Sequence, residues 1–336
     1  WVHDYHLMLL ARHLRRRDHR GPVGMFQHIP FPAPDIFFLC PWAAELAGAL
    51  LDFDLVGFHT RGYVENFLRC AACLPGVSFE DHRVLRGARA TRVAAFPLGT
   101  TPESFQDVEA AASDEIARLM RGIGGARVVL GVDRLDYTKG IPERIAAFGT
   151  LLERFPQWRS KACLVQISVP SRADIPEYVD QRTRVENIVG RINGEHGEGS
   201  WIPIRYLYRS YGRAELSQLY RSADVGYVTP LRDGMNLVAK EFVAAQDPQR
   251  PGVLLLSRFA GAADELTDAV LTNPWDPEGT AADLDFALRM PHEERVRRHT
   301  ALLEVVSKST ATTWADAFLA ALATATRPPS PPPSAR

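Results

Sequence analysis

A chain of 336 residues, 46% hydrophobic and 24% charged, is long enough to bury two cores. Its formal net charge of −1 offers no global basic field, which argues against nucleic acid or an anionic membrane as a partner. No apolar stretch reaches spanning length and no secretory leader pattern opens the chain, so a cytoplasmic protein is expected.

In chain order, residues 1–4 read as the end of a strand, followed by a helix to about residue 17. The basic run at 13–20 is expected to cap that helix and face solvent. Residues 23–27 form a short apolar strand that delivers His28 into a loop where Pro30, Pro32 and Pro34 exclude regular structure. Helices near 41–51 and 62–74 flank a strand at 55–58, and a further strand is expected at 92–96. Cys70 and Cys73 make a lone C-x-x-C inside a helical pattern; without a second pair they read as buried thiols, not as zinc ligands.

Residues 99–106 read as a joint, and a helix over 107–121 leads into a second alternating unit. Its strands are expected at 127–132, 162–168, 204–208, 224–229 and 252–257. Its helices are expected at 142–155, 175–193, 213–222, 236–245 and 260–266, with helical periodicity again over 278–290 and 291–323. The fold class is α/β, with two doubly wound parallel-sheet lobes. The expected domains are 1–106, 107–309, a helix over 310–326 crossing back to the first lobe, and a disordered Pro/Ser-rich tail at 327–336. The chain begins with Trp1, not Met, inside a patterned segment, so the first lobe is expected to be incomplete at its N-terminus.

Three segments carry chemistry. In PLRDGMNLVAKE (230–241), a strand empties into a polar turn that opens at once into a helix. The amides of Asp233, Gly234, Met235 and Asn236 then lie at a helix start beside a strand's carboxyl end, where electron-rich ligands bind. Glu241, two turns on, is placed to meet sugar hydroxyls; the bland reading is an ordinary strand–turn–helix with an acidic surface residue. Arg134 and Lys139 follow the strand at 127–132 and suit a diphosphate, unless they merely pair with Asp133 and Asp136. Neither a P-loop nor a dinucleotide glycine fingerprint is present. Arg172, after the strand at 162–168, is either a second anion ligand or structural.

Asp4 suits a polyol hydroxyl or a helix N-cap. His28 is a polar contact at a strand end or a satisfied core histidine. His3, Asp4 and His6 have no further ligands clustered with them, so no metal is expected. Lysine is scarce, with Lys139, Lys161, Lys240 and Lys308 among 39 basic residues, and two of the four fall in these ligand-facing segments.

Together the segments WVHDYHL (1–7), FQHIPFP (26–32), DRLDYTKG (133–140), GRING (190–194), PLRDGMNLVAKE (230–241) and SRFAGA (257–262) resemble the trehalose-6-phosphate synthases. These are retaining glycosyltransferases of GT-B architecture, with two Rossmann-like lobes. The resemblance runs in order from Trp1 to about Trp275. It implies a glucosyl transfer from a nucleotide-glucose, most simply UDP-glucose, to glucose 6-phosphate, without a cofactor. It gives Arg134 and Lys139 the donor diphosphate, Glu241 the ribose, and Asp233, Gly234, Met235, Asn236, Leu237 and Val238 the donor glucose and phosphates. Tyr211 lies near the base through its backbone, His28 meets the transferred glucosyl unit, Asp4 the acceptor sugar, and Arg172 the acceptor phosphate. Front-face attack with retention, helped by the leaving phosphate, needs no enzymic nucleophile. A silent sugar-phosphate-binding regulator is disfavoured by the full donor set, and a nicotinamide oxidoreductase by the missing glycines. A relative using another phosphorylated acceptor, such as glycerol 3-phosphate, stays open, as do the donor base and homo-oligomerisation. Family members carry a glycine-bearing donor loop ahead of the first phrase, so these residues alone are expected to turn over poorly and aggregate.

Overall fold

The computed structural model describes residues 1–80, 83–106, 114–172 and 174–325. The expected tail at 327–336 and the opening of the helix expected at 107–121 lie outside the described residues. The chain divides into two compact units, Trp1–Leu98 with the segment from Ala311, and Gly99–Thr310.

The first unit holds a sheet of β1 (Val2–His3), β2 (Gly24–Gln27), β3 (Leu55–Phe58), β4 (Val77–Glu80), β5 (Arg83–Arg86) and β6 (Arg89–Ala95), in the order β1-β2-β3-β6-β5-β4. The four strands β1, β2, β3 and β6 are parallel, as the alternation of strands and helices requires. The antiparallel hairpin β4–β5 corrects the purely parallel expectation. Its strands, VSFE and RVLR, hold at most two adjacent apolar residues, too few to stand out as a buried run. Pro34 also departs from expectation: it starts a one-turn helix, Pro34–Phe37, where proline's missing N–H costs nothing.

The helix Ala311–Ala325 covers β2 and β3. A Cβ on Gly24 or Gly57 would lie 2.9 Å from the Phe318 ring, so these two glycines make the seat for it. Trp1 stacks on the same ring at 4.3 Å. Among the cysteines, Cys70 is buried as expected, but Cys73 caps its helix in an exposed position.

The second unit holds β7 (Arg127–Arg134), β8 (Ala162–Val169), β9 (Ile204–Leu207), β10 (Val225–Val228), β11 (Val253–Ser257) and β12 (Val270–Thr272), all parallel, in the order β12-β11-β10-β7-β8-β9. The chain runs outward from β7 to β9, then returns to lay β10 on the other side of β7. Strand order therefore reverses between β7 and β10, and the crevice above their carboxyl ends is where ligands bind in such sheets. Separate apolar clusters fill the two faces, one around Leu130, Val165 and Phe242, the other around Ile145, Phe148 and Leu284. Two boundaries matter for the site: β7 runs through Arg134 instead of stopping before it, and the expected helix at 260–266 is a tight 3-10 turn, Gly261–Asp264. No helix among the described residues is long and apolar enough to cross a membrane.

Candidate functional site

In the second unit, the loops after β7 and β10 are stitched across the switch point. Gly140 adopts φ +63°, and a Cβ there would lie 2.6 Å from the Thr229 carbonyl oxygen, so only glycine permits this approach. The amide of Leu231 donates to the Thr138 carbonyl at 2.8 Å. Lys139 thereby reaches across, and its Nζ donates to Asp233 Oδ2 at 2.6 Å. The alternative pairing of Lys139 with Asp133 or Asp136 is not what forms. Asp136 instead accepts from the amide and hydroxyl of Thr138, both at 2.9 Å, and these bonds help hold its carboxyl below the usual range despite burial. Arg134 stands exposed at the end of β7.

Asp233 is pinned by its backbone, its amide donating to the Phe259 carbonyl at 3.1 Å. That corrects the expectation that this amide faces a ligand. Asp233 also accepts from Asn236 Nδ2 at 3.0 Å. Asn236, at φ +76°, uses an asparagine's tolerance of the left-handed region to cap the helix Leu237–Ala245, accepting from Ala239 N. The first-turn amides of Leu237 and Val238 follow, where a helix supplies no acceptor of its own. Gly234 and Met235 are buried in the turn between.

Glu241, on the second turn, is partly buried and accepts a 3.1 Å hydrogen bond from the Tyr220 hydroxyl. Burial pushes the Glu241 carboxyl up, and it pushes the Tyr220 phenol up as well. Lys240 is not offered to a ligand, contrary to the reading of its segment: its buried Nζ pairs with Glu265 at 2.6 Å. The Tyr211 side chain is taken by Glu115, to which its hydroxyl donates at 3.0 Å, and burial and that bond push it up to about 12. Arg172, at φ +47°, donates to the Tyr178 hydroxyl at 3.1 Å, and that hydroxyl donates to Asp136 at 3.3 Å. A chain of polar contacts thus ties the loop after β8 to the loop carrying Lys139.

Sequence reading passes over Arg144, which lies within the helix Ile141–Arg154 and is fully buried. Its guanidinium pairs with buried Asp133 and donates to Gln166 Oε1 at 3.0 Å, Thr229 Oγ1 at 2.9 Å and the Lys139 carbonyl at 3.4 Å. It joins β7, β8, the end of β10 and the Lys139 turn. An arginine on the inner face of an apolar helix was the available signal.

In the first unit, Asp4 takes φ +59° and its amide donates to the Phe26 carbonyl at 2.8 Å. Its Oδ1 accepts from the His28 amide at 2.8 Å, so Asp4 fixes the strand end beside it and does not cap a helix. The His28 ring lies against Phe26, His59 and Trp314, and its Nε2 is 2.9 Å from Nδ1 of His3. Burial lowers both pKa values, so both rings are held neutral and one donates to the other. His3 is the partner that strand spacing did not reveal. His6 is exposed. Among the described residues, metal-type ligand atoms gather within 4.8 Å of one another at Glu153, Glu195 and His196, near the C-terminal ends of two helices and away from the carboxyl-end crevice.

The family model described as Glycosyltransferase family 20 matches residues 1–324. A trehalose-6-phosphate synthase of Cronobacter sakazakii is 45% identical over 321 residues, covering 95% of this chain and 68% of that protein. A solved Escherichia coli structure bound with UDP-2-fluoro glucose shares 43% identity at a TM-score of 0.94, covering 96% of this chain and 72% of that one. A Burkholderia xenovorans α,α-trehalose-phosphate synthase (UDP-forming), solved in complex with glucose-6-phosphate, shares 42% identity at a TM-score of 0.92, with the same coverages.

Proposed function

The chain belongs to glycosyltransferase family 20, and from that premise we propose that it transfers glucose from UDP-glucose to glucose 6-phosphate, giving α,α-trehalose 6-phosphate and UDP. The observation that carries this reading is the Lys139–Asp233 pair at the β7/β10 switch point, with the Leu237 and Val238 amides beside it. That arrangement suits a sugar diphosphate, because a cation and helix-start amides meet its oxygens while the turn faces the sugar.

In this reading Arg134 and Lys139 bind the diphosphate and offset the charge that grows on it as the anomeric C–O bond breaks. The turn from Asp233 to Asn236 and the backbone of Leu237 and Val238 hold the donor glucose. Glu241, oriented by Tyr220, accepts from ribose hydroxyls, and Tyr211 contributes backbone contacts near the base. His28, held neutral, meets the glucosyl unit. Asp4 accepts from the acceptor sugar, and Arg172 binds its phosphate. The acceptor hydroxyl attacks the anomeric carbon on the face the UDP leaves, and a departing phosphate oxygen takes the proton, so the donor's configuration is retained. Positioning and charge stabilisation supply the rate.

The test follows UDP release from UDP-glucose with glucose 6-phosphate and assigns the product's linkage by NMR. The expected product is the α,α-1,1 disaccharide phosphate. Faster turnover with GDP-glucose or ADP-glucose would reassign the donor, faster turnover with glycerol 3-phosphate the acceptor, and no transfer with any pair by a protein that also carries the donor loop ahead of Trp1 would overturn the proposal.

A further inference from the structure

The β5–β6 hairpin gathers charge that the transfer reaction does not use. Arg86 and Arg89 stand opposite each other across its two-residue turn, whose corner is Gly87 at φ +60°. Like charges directly opposite on a ladder repel. Both side chains lie over the end of the helix Ala43–Leu50: Arg86 donates to the Gly48 carbonyl at 3.2 Å, and Arg89 to the Asp52 carbonyl at 3.4 Å. Arg12, Arg15 and Arg16 arrive at the same place from the helix Leu10–Arg15 and its cap. A Cβ on Gly48 would lie 2.6 Å from Arg86 Nη1 and 3.5 Å from Arg12 Nη2, so two guanidinium groups from distant segments crowd over one glycine.

These five arginines, with Leu51 and Asp52, line an open surface depression of about 580 Å³, roomy enough for a small anion. Carboxylates balance them only in part. Arg12 pairs with Asp52 at 2.9 Å and lies 3.8 Å from Glu45, while Arg15 pairs with Asp54. Five guanidinium groups thus face three carboxylates, leaving two positive charges among these groups. Nε of Arg15 is buried without a hydrogen-bond partner. An excess of two positive charges, presented by planar donors suited to bidentate contacts, matches a phosphate dianion.

We propose that this pocket is a second anion site, built to hold the phosphate of a small ligand and separate from the transferase residues. Its separation follows from the sheet. Asp52 and Asp54 precede β3 and Arg89 opens β6, at the amino edge, whereas Asp4 and His28 follow the carboxyl ends of β1 and β2. A four-residue strand puts roughly 13 Å between those edges. The ligand is either free inorganic phosphate or a phosphorylated metabolite, two sources of one chemistry.

Isothermal titration of the full chain at low salt, with inorganic phosphate, glucose 6-phosphate and neutral glucose as probes, tests this. The R86Q/R89Q variant is expected to lose phosphate affinity at least tenfold, while Arg172→Ala leaves inorganic phosphate bound at the pocket. Arg16→Gln, an exposed change that spares the fold, is expected to weaken binding about threefold, the loss of one charge-assisted contact in partly screened surroundings. Tighter binding of glucose 6-phosphate that R86Q/R89Q abolishes names a sugar phosphate as the ligand; equal binding names phosphate alone. Absence of phosphate binding to the wild type at millimolar concentration, or unchanged affinity in both pocket variants, would overturn the proposal. Loss of UDP release with pocket binding intact would instead fail the transferase reading alone.

Discussion

Replacing Arg144 by methionine removes four hydrogen bonds at once and leaves Asp133 buried without its cation. Breaking one partner of a buried pair costs about 3–5 kcal/mol, because the remaining charge stays out of water. The unit of residues 99–310 falls in the size class where 1 kcal/mol moves the midpoint by about 2–4 °C, so a thermal shift of roughly 6–20 °C is expected. The pH dependence has a definite sign. Burial already raises the Asp133 pKa, and Arg144 opposes that rise, so the variant raises it further. A carboxyl raised in the folded state penalises stability above its folded pKa, and the penalty fades as pH falls through that value toward the ordinary carboxylate range. The deficit of Arg144→Met should therefore shrink on acidification. Adding Asp133→Leu, which removes the orphaned charge, should recover at least half of the lost midpoint. Differential scanning fluorimetry from pH 5 to 8 reads all three. A shift under about 3 °C, or a double variant no better than the single, would refute the reasoning.

The other predictions concern the site more directly. In a protein that also carries the N-terminal donor loop, Lys139→Ala is expected to lower kcat/KM by about 10²–10³, the usual cost of losing one donor to developing charge; near-wild-type turnover would take Lys139 out of the diphosphate site. Arg172→Ala should raise KM for the sugar phosphate about tenfold and more than that for the nucleotide sugar, as expected for one charge-assisted hydrogen bond. The opposite ranking would remove Arg172 from the acceptor pocket. Tyr220→Phe deletes the donor that orients Glu241, so KM for UDP-glucose should rise roughly 2–10-fold with kcat held. Because that bond lowers the Glu241 pKa, the acidic limb of the donor-affinity profile should also move to higher pH, and an unmoved limb would count against the assignment. His28 has a folded pKa below the ordinary 6.5, so its contribution to stability is complete above that value and is lost as pH falls below it. His28→Asn should flatten this part of the stability profile, read as the midpoint of unfolding against pH.

The second unit was legible because its strands are continuous apolar runs and its turns carry glycine, proline and charge in recognisable order. The helix Arg213–Ser222 and the strand Leu55–Phe58 fall where periodicity puts them. What stayed hidden depends on distant pairing. The β4–β5 hairpin has no apolar run to mark it, and β12 is three residues long. Lys139 finds Asp233, 94 positions away, in preference to Asp133 and Asp136 nearby, because strand order brings the loops after β7 and β10 together. Neighbouring charges in sequence are poor guides when the backbone between them ends a strand and turns. Arg144 and Tyr220 escaped for the related reason that each acts on a proposed site residue from behind, inside a helix whose pattern reads as plain core.

If the crevice holds the diphosphate as proposed, its charge balance sets how that work is divided. Arg134 and Lys139 bring two positive charges, and Asp233 returns one negative charge within 2.6 Å of Lys139. Among these three groups the balance is a single positive charge, too little by itself to neutralise a leaving nucleoside diphosphate, so the proposed site also draws stabilisation from groups without formal charge. The Leu237 and Val238 amides at the start of a nine-residue helix are placed to supply it, adding a fixed partial positive charge that needs no reorganisation as the bond breaks. Asp233 then has a double use: it holds Lys139 extended across the crevice before a donor arrives, and it anchors Asn236, which sets the helix start. Arg144 holds the carbonyl of the same lysine from below, so the cation is fixed at both ends of its own residue.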